Sequence, residues 1–419
     1  AKEWELLTKR HGALVEINFL KRLDNELKRR GMLDVLRHGI DDTGVSFKLS
    51  HFKPGSTMNQ TATDLYDKNK LMITRQVHYS LENNNSMDTV IFLNGLPIIT
   101  IELKNPISGQ TYHNGITQYK NDRNPKEKLF TVKQRALVHF AVDTDEIYMT
   151  TQLQRQDTFF LPFNRGYNNG AGNPPVEGDY KTSYLWNEIL QKDSLLDIIQ
   201  RFIQLKKDDR TGKETLIFPR FHQLKVVRRL VKDVYENGSG KNYLIQHSAG
   251  SGKSNSIAWL AHHLSNLHDK NNRPIFNSII VITDRRVLDK QLQKDIYNME
   301  HKQGVVTRVD KNAKQLTKAL EKGDKIIICT LQKFPFVDVT KVSTKDKRFA
   351  IIVDEAHSSQ TDKSSEKLRE TLADTYSKGE DCIDEKLQMV AEAEARYEVE
   401  AEEEEINEVI ADEMKTHGI

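Results

Sequence analysis

The stretch Asn242-Tyr-Leu-Ile-Gln-His-Ser-Ala-Gly-Ser-Gly-Lys-Ser254 decides the fold of the C-terminal half of this 419-residue chain. Its opening five residues, 242–246, read as a buried strand, and residues 254–264 read as the helix that follows. Between them, glycines let backbone N–H groups curl around phosphate oxygens at the positive end of the helix. Lys253 is placed to reach the terminal phosphates of a nucleotide and Ser254 to ligate Mg²⁺. His247 stands where the general phosphate-loop pattern begins with Gly, which leaves Gly250 and Gly252, around Ser251, to carry the turn.

Outward from that loop, the C-terminal side supplies a partner motif. Phe349-Ala-Ile-Ile-Val-Asp-Glu-Ala-His357 is an apolar run ending in two carboxylates. It places Asp354 and Glu355 at the tip of a central strand, where open α/β sheets bind their ligands. Asp354 is read as a Mg²⁺ holder and Glu355 as the group that orients and polarises an attacking water. Either motif alone is compatible with a structural turn; their order and separation point to nucleotide chemistry. Asp354–His357 resembles the DExH box of helicases. Gln223 precedes the loop as the adenine-reading glutamine does in that superfamily. Ile279–Thr283 with Asp284-Arg285-Arg286, and Ile326–Cys329 with Thr330–Phe334, look like two further motifs that contact the DNA backbone. Ordinary strands followed by polar helix starts read equally well there.

On the N-terminal side, residues 5–29 read as an amphipathic helix, and 71–79 and 87–104 as strands around the hairpin signal Asn94-Gly95. Further strands are expected at 136–142 and 146–150, a loop at 164–178, a helix at 186–206 and a polar linker at 206–213. In Asp88-Thr-Val-Ile-Phe-Leu-Asn-Gly-Leu-Pro-Ile-Ile-Thr-Ile-Glu-Leu-Lys104, three charges interrupt an apolar segment. Strand alternation puts Ile99, Ile101 and Leu103 on one face and Glu102 with Lys104 on the other. Asp88 and Glu102 make a hard-oxygen pair suited to Mg²⁺, and Lys104 is placed to orient a nucleophile or stabilise charge at phosphorus. Solvated surface charges are the alternative. A strict two-residue turn pairs Leu93 with Leu96 and turns Asp88 away from Glu102. The expectation is therefore a bulged or longer loop that pairs Leu93 with Pro97 and sets Asp88 opposite Glu102.

Composition limits the classes. No run of about 18 apolar residues predicts a membrane span, and no export leader is read at the start. The two cysteines, Cys329 and Cys382, match no metal or disulfide pattern, so a reducing, cytoplasmic setting is expected. Residues 379–413 hold fifteen acids against two bases, a net of −13, which leaves +15 on the rest of a chain whose total is +2. A basic body attracts phosphates without sequence specificity. The acidic segment, from about 363, reads as a solvated helix face or insertion.

Together Asp88, Leu93–Pro97, Ile101–Asn105, Gln118-Tyr119, His247–Ser254 and Asp354–His357 resemble the restriction (R) subunit of type I restriction-modification enzymes, over essentially the whole chain. The resemblance implies an α/β chain: a PD-(D/E)xK-type nuclease domain (1–175), a helical linker (176–215) and a first RecA-like helicase lobe (216–419). It implies ATP and Mg²⁺ as cofactors, double-stranded DNA as substrate, and DNA methyltransferase and specificity subunits as partners. It makes Asp88, Glu102, Lys104 and Glu355 catalytic, and Gln118 and Tyr119 auxiliary to the nuclease. The family carries Gln-x-x-x-Tyr there; here Gly115 stands four before Tyr119. Gln223, Gly250–Ser254, Asp354 and His357 fall to ATP, with Asp88, Glu102, Ser254 and Asp354 on metal. Glu16 is a further candidate nuclease acid or a surface residue. A second RecA-like lobe is expected beyond Ile419, and the chain alone is expected to be a poor ATPase. The competing readings are a self-contained DNA-repair nuclease–helicase and a scaffold switched by ATP binding without turnover.

Overall fold

The computed structural model describes residues 2–54, 59–168, 170–208, 211–248, 250–283, 292–297, 299, 305–309, 313–330 and 347–354. The chain is mixed α/β and folds into two compact units, one of residues 1–230 with 249–259, the other of 231–248 with 260–419. Among the described residues no helix is long and apolar enough to cross a membrane.

The first unit opens on helices α1 (Lys2–His11), α2 (Val15–Arg29) and α3 (Met32–His38). The expected single helix over 5–29 is broken by a 3₁₀ turn at Gly12–Leu14, where Gly12 has a positive φ. A small hairpin, β1 (Ile40–Asp42) and β2 (Val45–Phe47), and helix α4 (Gln60–Asp67) lead into the main sheet. That sheet contains β3 (Leu71–His78), β4 (Ser86–Leu93), β5 (Leu96–Leu103), β6 (Val138–Val142), β7 (Ile147–Thr150) and β8 (Leu161–Pro162), in spatial order. All neighbours are antiparallel except β5 and β6, which run parallel with helix α5 (Tyr112–Asn121) in the crossover. This topology follows from chain length, since parallel strands need a crossover that a two-residue turn cannot supply. β6 is buried along its whole length, and Met87, Val90, Tyr119, Phe130, Ala141 and Leu153 pack as one core cluster beneath the β4 side.

Beyond the sheet come α6 (Lys192–Asp197) and a helical turn to Phe202. The expected polar linker over 206–213 is instead a loop within a hairpin, β9 (Gln204–Lys207) with β10 (Glu214–Ile217). Lys206 and Lys207 end β9, and Lys213 precedes β10. Helices α7 (Phe221–Asn237) and α8 (Lys253–Ser265) follow.

The second unit holds a four-stranded parallel sheet of β11 (Ser278–Thr283), β12 (Val306–Arg308), β13 (Ile326–Thr330) and β14 (Phe349–Val353), in the order β12-β13-β11-β14. β11 and β13 are buried throughout, as runs of Ile and Val in a sheet covered on both faces must be.

Two strand expectations are corrected here. Residues 242–246 form no strand: Tyr243, Leu244 and Ile245 are exposed, and Tyr243 Oη donates to Asp233 Oδ2 on α7 at 2.6 Å. Without that fifth strand, β14 lies at the edge of the sheet among the described residues, where a central strand was expected, and its residues after Phe349 are half-buried. An apolar run without a ladder partner has no backbone bonds to hold it as a strand.

Candidate active site

The hairpin carrying the three candidate nuclease residues closes differently from expectation. Asn94 and Gly95 have φ of 52° and 86°, the signs that a two-residue turn matching strand twist requires. Leu93 accordingly pairs with Leu96 and Phe92 with Pro97. The register then shifts, and Ile91 pairs with Ile99, Val90 with Thr100 and Thr89 with Ile101. The extra residue is Ile98, in the strand and not in the loop. It follows Pro97, which has no N–H and already interrupts the ladder. One step further, the shifted register sets Asp88 opposite Glu102, as the metal reading needs.

Side-chain contacts converge on this point. Asp88 Oδ2 accepts the Leu103 backbone N–H at 3.0 Å, and Lys104 Nζ lies 3.4 Å from Asp88 Oδ2 and 3.5 Å from Glu102 Oε2. Lys104 N is fixed by Val142 O across the parallel β5–β6 pair. Leu103, expected on the apolar face, is exposed instead, whereas Glu102 is fully buried. Burial pushes the Glu102 carboxyl up to about 7; the Arg123 charge opposes that rise and Asp88 adds to it. Asp88 lies below its ordinary value: burial raises it, but hydrogen bonds from Glu102 and Leu103 N–H and the Lys104 charge outweigh burial. A cation beside the two carboxyls would relieve the repulsion that Asp88 adds to Glu102.

The residues of the pair fit a hydrated Mg²⁺, which takes one or two carboxylates and fills its octahedron with water. Among the described residues no cluster of three or more His, Cys, Asp or Glu side chains is placed to hold a metal.

Lys104 also lines an open cavity of about 380 Å³ with Gln110, Asn114, Thr117, Gln118 and Asp122. Gln118 thus faces the cavity beside Lys104. Tyr119, the neighbouring candidate, is buried in the core, with Oη bonded to Thr100 Oγ1 at 2.9 Å and near Met87 Sδ at 3.8 Å. Its side chain does not line that cavity. Gly115 lies where a Cβ would come 3.2 Å from Ala141 Cβ and 3.5 Å from Glu102 Cβ, so close packing favours glycine there.

Sequence reading missed Arg123. Its Nε and Nη2 both donate to Glu102 Oε1, at 2.8 and 2.5 Å, from a position just past the C-terminal end of α5. No periodic signal marked it, since Arg123 lies two residues past the end of α5 and its partner is on β5.

At the phosphate loop, Gly250 and Gly252 have φ of 71° and 83°, and α8 begins at Lys253, as the sequence implies. Ser251 Oγ is buried and has no hydrogen-bond partner among the described residues. Gln223 Nε2 donates to Ser251 O and Gly252 O, both at 3.0 Å, and its Oε1 accepts from Arg220 N at 2.9 Å. A Cβ on Gly252 would collide with Gln223 Nε2. The glutamine expected to read adenine is therefore tied to the loop backbone. Asp354 lies at the C-terminal end of β14, its N–H bonded to Ile282 O at 2.9 Å, in the other unit from Lys253 and Ser254. Glu355, His357, Asp284–Arg286 and Leu331–Phe334 lie outside the described residues, as does the acidic segment. Glu16 lies in the first turn of α2 and is exposed.

Comparison with known proteins adds two family matches. Residues 6–158 match the type I restriction enzyme R protein N terminus, and residues 222–379 match the SWI2/SNF2 ATPase family. Relatives include a putative type I restriction enzyme MjaVIIIP endonuclease subunit of Methanocaldococcus jannaschii, 28% identical over 67% of this chain and 26% of that protein. The type I restriction enzyme HindI endonuclease subunit of Haemophilus influenzae is 25% identical over 65% of this chain and 26% of its own length. A type I restriction enzyme SauCOLORF180P endonuclease subunit of Staphylococcus aureus is 24% identical over 71% and 30%. The chain spans less than a third of each of these relatives.

Proposed function

We propose that this chain is the N-terminal portion of a type I restriction enzyme R subunit, and that it joins a Mg²⁺-dependent, PD-(D/E)xK-type DNA nuclease to the first lobe of an ATP-driven duplex DNA translocase. The match of residues 6–158 to the R protein N terminus and the similarity to endonuclease subunits support this. On this reading it works with modification and specificity subunits. The observation that carries the nuclease half is the Asp88–Glu102–Lys104 convergence produced by the bulge at Ile98.

When bound between Asp88 and Glu102, Mg²⁺ supplies a water of lowered pKa and a positive charge beside the scissile phosphate. Asp88, held ionised by the Leu103 N–H and Lys104, fixes one side of that position, and Glu102 fixes the other. Lys104 Nζ, between the carboxylates and the open cavity, meets the attacking water and the charge that builds on the phosphoryl oxygens. Gln110, Asn114 and Gln118 line the cavity with neutral donors for a nucleic-acid backbone. In the motor half, Gly250–Ser254 would cradle the phosphates, with Gln223 holding the backbone of that loop. The sequence motif at residues 354–357 would supply Asp354 to hold Mg²⁺, Glu355 to polarise the attacking water and His357 to attend the nucleotide.

The test uses the full-length subunit assembled with its modification and specificity partners. Asp88→Ala and Glu102→Ala should abolish cutting, and Lys104→Ala should slow it by about 10²–10³-fold. ATP turnover should persist in all three. Normal cutting by Asp88→Ala would overturn the nuclease assignment. Strand separation without the partner subunits would favour a repair nuclease–helicase, and ATP binding without turnover a switched scaffold.

A further inference from the structure

Glu102 is gripped by one oxygen. Arg123 Nε and Nη2 both donate to Oε1, and Arg123 Nη1 donates to Tyr79 Oη at 3.2 Å. The guanidinium also lies 5.6 Å from the centroid of the Tyr79 ring, and Arg123 is 3% exposed. An ion pair serving stability alone gains most when the fork of the guanidinium meets both carboxylate oxygens in parallel. A buried pair of any geometry is in addition a weak source of stability, because desolvating two charges offsets their attraction. Here the fork closes on Oε1 and leaves Oε2 turned towards Lys104 Nζ, which lies 3.4 Å from Asp88 Oδ2.

We infer that Arg123 is a positioning residue of the nuclease centre: by occupying Oε1 it leaves Glu102 a single oxygen, Oε2, aimed at the cation position shared with Asp88. The inference rests on the reading of Asp88, Glu102 and Lys104 as that centre. Without the guanidinium, Oε1 loses the two donors that hold it, and Oε2 is then no longer fixed towards the cation position. Residues that orient a metal ligand in this way typically cost 10–100-fold in metal affinity when lost.

Calorimetric titration of this 419-residue chain with Mn²⁺, alongside thermal melting, tests the inference. The wild-type chain should bind and Asp88→Ala should not. Arg123→Met should bind about 10–100-fold more weakly than wild type, and Arg123→Lys should fall between, since an ammonium restores charge but not the two-pronged grip. In the assembled enzyme the same variants should raise the Mg²⁺ concentration for half-maximal cutting. Wild-type Mn²⁺ affinity in folded Arg123→Met overturns the positioning role while leaving the nuclease centre intact. If melting shows that Arg123→Met does not fold, wild-type affinity in Arg123→Lys overturns it instead. Mn²⁺ binding absent from the wild-type chain, or unchanged by Asp88→Ala, overturns the nuclease centre and this inference with it.

Discussion

His139 illustrates how a single residue in the core of the six-stranded sheet sets a pH limit. It is almost completely buried on β6, with Nδ1 2.7 Å from Thr100 Oγ1, and burial pushes its pKa down to about 3 from 6.5. The folded chain therefore keeps it neutral while the unfolded chain protonates it. Its contribution to stability is complete above pH 6.5 and is lost as pH falls from 6.5 towards 3, at about 1.4 kcal/mol per unit. Urea unfolding of wild type and His139→Gln at pH 7.5 and pH 5 should show the stability difference moving in favour of the variant by about 2 kcal/mol at the lower pH. Parallel profiles would remove His139 as the source. Residue-scale features of this kind were not legible in the sequence. A histidine within an apolar strand reads the same whether its ring meets Thr100 or solvent. Arg123 stayed hidden because its partner lies 21 residues earlier on another element. Asp88, Glu102 and Lys104 were legible because charges inside an apolar hairpin need a reason.

At the scale of elements, the approach of α5 to the sheet depends on Gly115. A Cβ there meets Ala141 Cβ at 3.2 Å, a contact relieved by a shift of a few tenths of an ångström. Gly115→Ala exchanges that strain for a gain in helix propensity of about 1 kcal/mol, and the two should nearly cancel. Gly115→Val adds branches that meet Ala141 and the Glu102 side chain, and overpacking should cost about 1–3 kcal/mol. Denaturant midpoints should rank glycine and alanine together with valine well below; equal midpoints for all three would show that α5 does not bear on β5 and β6 here. Element positions were largely readable: the strand runs at 71–79, 87–104, 136–142 and 146–150 correspond to β3 to β7. The hairpin was half readable. Sequence demanded that one residue be absorbed between Leu93 and Glu102, and alternation required it for Asp88 to meet Glu102. It did not say where, because a longer loop and a bulge at Ile98 satisfy the same count. The strand expected at 242–246 failed for a different reason: periodicity measures apolarity, and a ladder also needs a neighbour.

For the whole molecule, the two proposed chemistries should be separable by ligand binding, because the two residue sets share no member. Asp88, Glu102 and Lys104 are carried by the β4–β5 hairpin, whereas Gly250, Gly252 and Lys253 form a loop and helix start more than a hundred residues later. On the proposed reading Lys253→Ala would remove one charge-assisted contact to phosphate, an interaction of about 1.5–3 kcal/mol, and so should weaken a fluorescent ATP analogue by about 10–100-fold. It should leave Mn²⁺ binding at the hairpin, measured without nucleotide, unchanged. Asp88→Ala should do the reverse. Gly252→Ala offers a sharper check on the loop than Lys253→Ala, since its Cβ would displace the Gln223 amide from the Ser251 and Gly252 carbonyls and its φ of 83° disfavours any side chain. Nucleotide binding should fall in that variant too, although no charge has been removed. If Gly252→Ala binds the analogue as wild type does, the loop conformation held by Gln223 is not the one that receives phosphate. If Lys253→Ala instead weakens Mn²⁺ at the hairpin, the two sets are not the independent sites that their placement on the chain implies.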